Sequence, residues 1–387
     1  MADFRRLVPP APTPGPESKG HREEVRRFLD ESKRNGRWIS RPDAWLTGWD
    51  VDFSADLAAR GWVGMAIPVE YGGHGRTALD RYVVVEELLA AGAPVAAHWF
   101  ADRQIAPALL QHGTDFLKRK YLPRIASGAF SFALGLSEPD AGSDLASLRT
   151  RAVRVDGGWI LTGTKLWSSG AHRCQAIAVL ARSESFDPKR RHGGLSQFIV
   201  DLPADGVTVN PIRLLTGAHH FNEVVFNEVF VPDTQLLGTP GNGWHQVTAE
   251  LAWERSGPER FLSSYPMLRA LAEVARGADS DPHLRIVVGG LIARLWTLRQ
   301  LALGVVGELT QGRAPVESAA LVKDLGTSFE QDIVDAALSA TDLEGDPTGE
   351  GIARTLADSV LQSPGFTLRG GTNEILRAMV ARSMGLR

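Results

Sequence analysis

Two short segments carry the residue types best suited to chemistry. The first is Phe132-Ala133-Leu134-Gly135-Leu136-Ser137-Glu138-Pro139-Asp140-Ala141-Gly142-Ser143-Asp144, and the second is Lys165-Leu166-Trp167-Ser168-Ser169-Gly170. An apolar strand runs into a Glu-Pro turn and a loop of small residues, and a second strand ends in an indole beside two hydroxyls. Such a pair can hold a flat heterocycle with polar edges: hydroxyls and loop amides meet its heteroatoms while Trp167 covers a ring face. Taken singly, each segment also fits a plainer reading, a capped turn at Ser143 and Asp144 and a core tryptophan. Near the carboxyl end, Gly370-Gly371 frees the backbone and Thr372 can cap a helix that starts around Glu374, forming an anion site.

The elements that must position these residues change character along the chain. From about Ser18 to Ser127 the pattern is helical: Tyr82, Val83, Val85, Leu88 and Leu89 follow an amphipathic period, and Ile105, Leu109 and Leu110 repeat it. From Ser131 to about Leu237 short strands take over. Asp156-Gly157-Gly158 separates Ala152, Val153 and Val155 from Trp159-Ile160-Leu161-Thr162, which predicts a hairpin. Residues 176–180, 198–200, 207–209 and 224–231 are further β-rich runs. Beyond Pro232 the chain turns helical again, and Leu321, Leu325, Phe329, Ile333 and Ala337, four apart, predict a buried stripe. Residues 9–16, rich in proline, predict an extended, poorly ordered leader.

Bulk properties narrow the function classes. A chain of 387 residues can bury a large core and is expected to form two or three domains. It is 43% hydrophobic and 22% charged, ordinary globular usage. The net charge of −3 gives no reason to expect nucleic acid or an anionic membrane as partner. No run of transmembrane length or apolar signal core is read. The single cysteine, Cys174, rules out an internal disulfide and fits a reducing compartment, so a cytoplasmic location is expected.

Six motifs in chain order resemble the acyl-CoA dehydrogenase family of flavoproteins, in a divergent bacterial-type form. Two are the segments above: Ser137-Glu138-Pro139-Asp140-Ala141-Gly142-Ser143-Asp144 and Lys165-Leu166-Trp167. The others are Ile67-Pro68-Val69-Glu70-Tyr71-Gly72-Gly73-His74-Gly75, Gly113-Thr114-Asp115 with Lys120-Tyr121-Leu122-Pro123, Val229-Phe230-Val231-Pro232, and Gly370-Gly371-Thr372-Asn373-Glu374-Ile375. The resemblance implies an α+β multidomain fold. Its parts would be a disordered leader (1–17), an N-terminal all-α domain (18–129), a middle β-barrel domain (130–237) and a C-terminal helical bundle (238–387).

It also implies FAD and the α,β-dehydrogenation of an acyl thioester to a trans-2-enoyl thioester. A base takes the α-proton, and a cofactor takes the β-hydride because no side chain can. A carboxylate whose pKa is raised by burial suits the base. By position, Leu136, Ser137, Gly142 and Ser143 match the family's flavin or substrate contacts, and Trp167 and Ser169 match residues beside the flavin. Thr372 and Glu374 match the diphosphate and ribose side. Serine stands at both hydroxyl positions where relatives usually carry threonine, which keeps the donor and loses β-branched stiffness. Many members place their catalytic Glu where this chain has Gly370. The isovaleryl-CoA dehydrogenase branch draws it from a Glu-Arg pair on an earlier helix, which implies Glu254 as base and Arg255 as a substrate-side cation. A solvated helix pair is the alternative. Glu138 reads as a structural part of its turn.

The implied partners are an acyl-CoA or acyl-carrier thioester, an electron-transfer flavoprotein as acceptor, and a homotetramer or a heterotetramer with a paralogous subunit. The family's Arg-Lys-Thr-Phe-Gly-like segment is replaced by residues 275–282, and its Gln-Gly-Gly segment by Leu343-Glu344-Gly345-Asp346. These losses resemble bacterial members built from two different subunits. A non-catalytic partner subunit and an oxygen-using oxidase or monooxygenase relative therefore stand as alternatives. Gly73-His74-Gly75-Arg76-Thr77-Ala78 matches a dinucleotide fingerprint, but Pro68 and Glu70-Tyr71 break the strand before it and no βαβ units follow. His219-His220 reads as exposed loop histidines without metal-ligand partners. Cys174 reads as a small buried residue, and Trp62, Trp159 and Trp296 as core.

Overall fold

The computed structural model describes residues 7–386, apart from the side chains of residues 251–254 and 256. Helices come first: α1 (Pro16–Arg34), α2 (Ala44–Thr47), α3 (Val51–Ala59), α4 (Ala78–Ala91), α5 (Ala96–Phe100), α6 (Ala106–His112) and α7 (Asp115–Ala126). Strands follow as β1 (Phe132–Gly135), β2 (Arg151–Val155), β3 (Gly158–Lys165) and β4 (Ala176–Arg182). They continue as β5 (Leu195–Asp201), β6 (Val207–Ile212), β7 (Phe221–Pro232) and β8 (Leu236–Leu237). The chain closes with α8 (Gly243–Ser256), α9 (Tyr265–Ala275), α10 (Pro282–Thr310), α11 (Val316–Ser339), α12 (Gly351–Gln362) and α13 (Asn373–Ser383). The helix, sheet, helix order is the one the sequence implies.

Two compact units interleave in sequence. One holds Asp50–Arg76 and Ala96–Glu250; the other holds the described residues of Met1–Trp49, Thr77–Val95 and Leu251–Arg387.

In the sheet-bearing unit the strand order is β6-β7-β3-β2-β4-β5-β8, with β1 alongside β4. The expected closed barrel is corrected to an open sheet. Among the described residues β6 pairs with β7 alone and β8 spans two residues against β5, so the two ends never meet. The two halves join at a single parallel pairing, Arg151 with Arg182. The hairpin between β2 and β3 forms as read, with Gly157 at φ 70° in the turn. Every residue of β4 is buried, consistent with its unbroken apolar run. Ile105, Leu109, Tyr121 and Ile125 from the helices pack with Phe130, Phe132 and Ile199 in one core. That core fixes β1, and with it the loop that leaves its carboxyl end.

In the helical unit, Thr77 and Asp80 form a capping box that starts α4, and Ser18 donates to Asp80 at 2.6 Å. Glu86 accepts from Arg22 at 2.7 Å and from Arg299 at 2.6 Å, while Glu87 pairs with Arg22 and Arg26, tying α1, α4 and α10 together. The stripe on α11 runs through Val322, Gly326, Phe329, Ile333 and Ala337, and Leu325 is exposed. A strict four-residue spacing drifts off a 3.6-residue face, so the buried row steps back by three at Gly326. Trp296, read as core, is 63% exposed on α10.

Two further readings are corrected here. Residues 7–15, taken as poorly ordered, lie along α10, with Leu7 and Pro9 buried. A Cβ at Gly304 would stand 2.2 Å from the Pro9 carbonyl oxygen, so this approach needs glycine. Among the described residues, α10 is also the one helix long and apolar enough to cross a membrane by length and composition. Here Leu284, Val288, Leu291 and Leu298 face the unit's interior.

Candidate active site

The loop after β1 and the loop after β3 are locked together by one buried ion pair. Lys165, fully buried, donates to Glu138 Oε1 at 2.8 Å and to the Leu136 carbonyl at 3.0 Å. Glu138 also accepts the Arg149 and Thr150 amides at 2.6 and 2.9 Å. A backbone hydrogen bond adds a further link, Leu166 N–H to the Ser137 carbonyl at 2.8 Å. Burial works against ionisation of Glu138, yet the Lys165 charge and these hydrogen bonds hold its carboxyl below the usual range. For Lys165, burial outweighs the attraction of Glu138 and lowers the ammonium to about 8. Both carboxylate oxygens are engaged in this way, which makes Glu138 a clasp, as the sequence suggests.

Leu136 packs with Ala141, Leu148, Leu180, Leu195 and Val247, which anchors the loop from below. Gly142 and Ser143 are exposed. A Cβ at Gly142 would meet no atom within 4 Å, so open space lies over it.

Trp167 is the most unusual residue of the site. Its φ of 62° is left-handed, which costs a non-glycine residue about 1–3 kcal/mol and persists where the surroundings over-determine it. Its ring is 52% exposed and stands edge-on to Phe221, centroids 5.7 Å apart. The strand thus ends by presenting an indole face outward instead of burying it. Beside it, Ser168 is fully buried with its Oγ lacking a hydrogen-bond partner, and Ser169 is half-buried. Gly170 N–H donates to the His220 carbonyl at 2.7 Å.

Residues missed by sequence reasoning hold this loop. Asn222 on β7 donates from Nδ2 to the Ser168 carbonyl at 2.9 Å, and His219 Nε2 lies 2.8 Å from Asn222 Oδ1. The histidines read as exposed are therefore corrected: His220 is buried, and His219 stacks on His172 with centroids 4.0 Å apart. A signal existed, since Asn222 takes an inward position in an alternation continued by Val224 and Phe226.

The other expected site residues lie in the helical unit. The side chain of Glu254 falls outside the described residues. Arg255 is buried and donates from Nε to the Gly370 carbonyl at 3.3 Å, so it joins α8 to the Gly370-Gly371 turn and is no solvated surface charge. Both glycines are left-handed, at φ 71° and 90°. Thr372 sits at the start of α13 but makes no side-chain cap. The backbone amide of Glu374 and the Thr372 hydroxyl hold that exposed carboxyl below its usual range. Among the described residues, no group of three His, Cys, Asp or Glu could hold a metal ion. Burial raises the Cys174 thiol, which removes it as a nucleophile.

A displayed indole, a buried hydroxyl without a partner and open space over Gly142 fit a flat, polar-edged group such as an isoalloxazine. The profile of the acyl-CoA dehydrogenase N-terminal domain matches residues 15–129, and that of the middle domain matches residues 133–229. The chain is 34% identical over 335 residues to acyl-CoA dehydrogenase FadE29 of Mycobacterium tuberculosis, covering 84% of each. It is 33% identical over 339 residues to FadE34 of the same organism, spanning 85% of this chain and 45% of that longer protein. Among solved structures, the Tcur3481-Tcur3483 steroid ACAD superposes with a TM-score of 0.83 at 28% identity, covering 97% of this chain and 99% of that one. The ChsE4-ChsE5 complex from Mycobacterium tuberculosis gives 0.79 at 27% identity, with the same coverage. The chain belongs to the acyl-CoA dehydrogenase family, whose members are FAD-dependent.

Proposed function

We propose that this chain is a FAD-dependent acyl-CoA dehydrogenase, forming a trans-2-enoyl thioester from a saturated acyl thioester. The observation that carries the reading is Trp167, held in a strained conformation with its indole exposed at the end of a loop that also carries Ser168 and Ser169. Ser137, Gly142, Ser143 and Ser169, with Leu136 beneath, would hold the flavin on this unit, and Thr372 and Glu374 would meet the diphosphate and ribose side. A bound FAD supplies the hydride acceptor that no side chain can provide. Glu254 takes the α-proton onto its carboxylate, and Arg255 fixes the helix end that carries it.

A surface cavity of about 540 Å³ favours CoA over a carrier protein as the thioester's other half. Lys189, Arg190, Arg191, His192, Trp244 and His245 line it, and His192 stacks on Trp244 with centroids 4.1 Å apart. Asp187 and Asp144 neutralise Arg190 and Arg191 in part. Cationic walls beside a stacked aromatic pair suit phosphates attached to a base.

A partner-subunit reading is kept because the two solved relatives above are named as paired assemblies. Glycine at position 370, where many relatives carry the base, points the same way. Anaerobic mixing of the FAD-loaded chain with a series of acyl-CoAs separates the readings. Bleaching of the flavin by a saturated acyl-CoA, abolished in Glu254→Gln with FAD retained, is the expected result. Bleaching that survives Glu254→Gln removes the base assignment, and no bleaching with any thioester leaves the partner-subunit role. Peroxide release in air at the turnover rate would mark an oxidase instead.

A further inference from the structure

We propose that Asn222 is a positioning residue for the cofactor-facing loop, holding Trp167 left-handed by clasping Ser168 from both ends. The proposal rests on the reading of Trp167 and Ser169 as flavin contacts. Asn222 is fully buried in β7. Its main-chain carbonyl accepts the Ser168 N–H at 3.0 Å, and its Nδ2 donates to the Ser168 carbonyl at 2.9 Å. One residue thereby satisfies both backbone polar groups of the position directly after Trp167. The first bond is of the kind any neighbouring strand supplies. The second is available only from a side chain with a donor at that reach, and it sets the orientation of the peptide that follows the indole.

The amide itself is oriented by histidines. An asparagine side chain can be flipped at little cost unless its two ends meet different partners. Here Nδ2 must donate to the Ser168 carbonyl, and Oδ1 faces His219 Nε2 at 2.8 Å, which then carries its proton on that nitrogen. His219 is stacked on His172 at 22° between planes, which fixes the ring that faces the Asn222 amide. The stacked pair therefore acts through Asn222 on the Trp167 loop. A left-handed tryptophan has a strong local tendency to relax, and the tether that opposes relaxation reaches it from another strand.

Aspartate at 222 keeps the shape and loses the donor, while leucine keeps the volume and loses both side-chain bonds. We expect Asn222→Asp to weaken FAD binding about tenfold, the effect of one lost buried hydrogen bond, Asn222→Leu to weaken it at least as much, and both to alter the visible flavin spectrum. His219→Gln retains a donor facing Oδ1 and should bind FAD as the unaltered chain does. In a Trp167→Gly background, where a positive φ carries no penalty, adding Asn222→Asp should change affinity by no more than about twofold. In the FAD-free chain, amide hydrogen exchange across residues 166–170 should quicken in Asn222→Asp by more than it does in the strands away from this loop. Unchanged exchange there overturns the proposal, as does unaltered affinity and spectrum in a folded Asn222→Asp chain. An unaltered chain that takes up no FAD would count against the flavin reading, and the exchange measurement then still decides the role of Asn222.

Discussion

Gly142 separates folding from binding at the level of one residue. Its backbone is not left-handed and a side chain there would touch nothing within 4 Å, so the loop's own conformation does not demand glycine. Gly142→Ala should therefore leave stability within about 0.5 kcal/mol, as for an unremarkable surface change. If the cofactor edge lies against this loop, the added methyl should still weaken FAD binding several-fold, read by titration alongside the melting curve. An equal affinity in both chains would remove Gly142 from the site. Trp167 and the serines were legible because polar and aromatic residues cluster at two strand ends. The left-handed backbone at Trp167 was not legible, since it is set by Asn222, some fifty residues downstream and invisible to local pattern.

The clasp between β1 and β3 shows how elements are held for the site. Lys165 and Glu138 are both buried, so removing one partner strands a charge. Glu138→Gln should cost about 3–5 kcal/mol in unfolding free energy, and Glu138→Gln with Lys165→Met should recover much of it. The pH dependence has a definite sign. Glu138 is held below its ordinary value of 4.5, so its contribution is present above that value and is lost as pH falls through the lower folded one. Chemical denaturation across this acid window should weaken the unaltered chain more steeply than the double variant; parallel curves would mean that the pair does not stay ionised. The strands themselves were legible from β-rich runs and the Asp-Gly turn. The α11 stripe was read one step out at Leu325, because a four-residue spacing only approximates the helical period.

Across the whole chain, the switch from a 3.6-residue to a two-residue period and back gave away the helix, sheet, helix order. Three features could not be read that way. Whether a sheet closes depends on its end strands meeting, and a two-residue β8 has no pattern to detect. The interleaving of Asp50–Arg76 and Ala96–Glu250 into one unit depends on which helices share a core, which contiguous reading does not reveal. The proline-rich leader likewise depends on Gly304 leaving space on α10, far away in sequence.

The measurement that bears most directly on the account is equilibrium titration of the purified chain with FAD, followed by flavin fluorescence. Saturable quenching with micromolar or tighter affinity, markedly weakened in Trp167→Ala while the melting temperature holds, is the predicted result. Flavin fluorescence that stays unchanged throughout the titration, or binding indifferent to loss of the Trp167 indole, would contradict it.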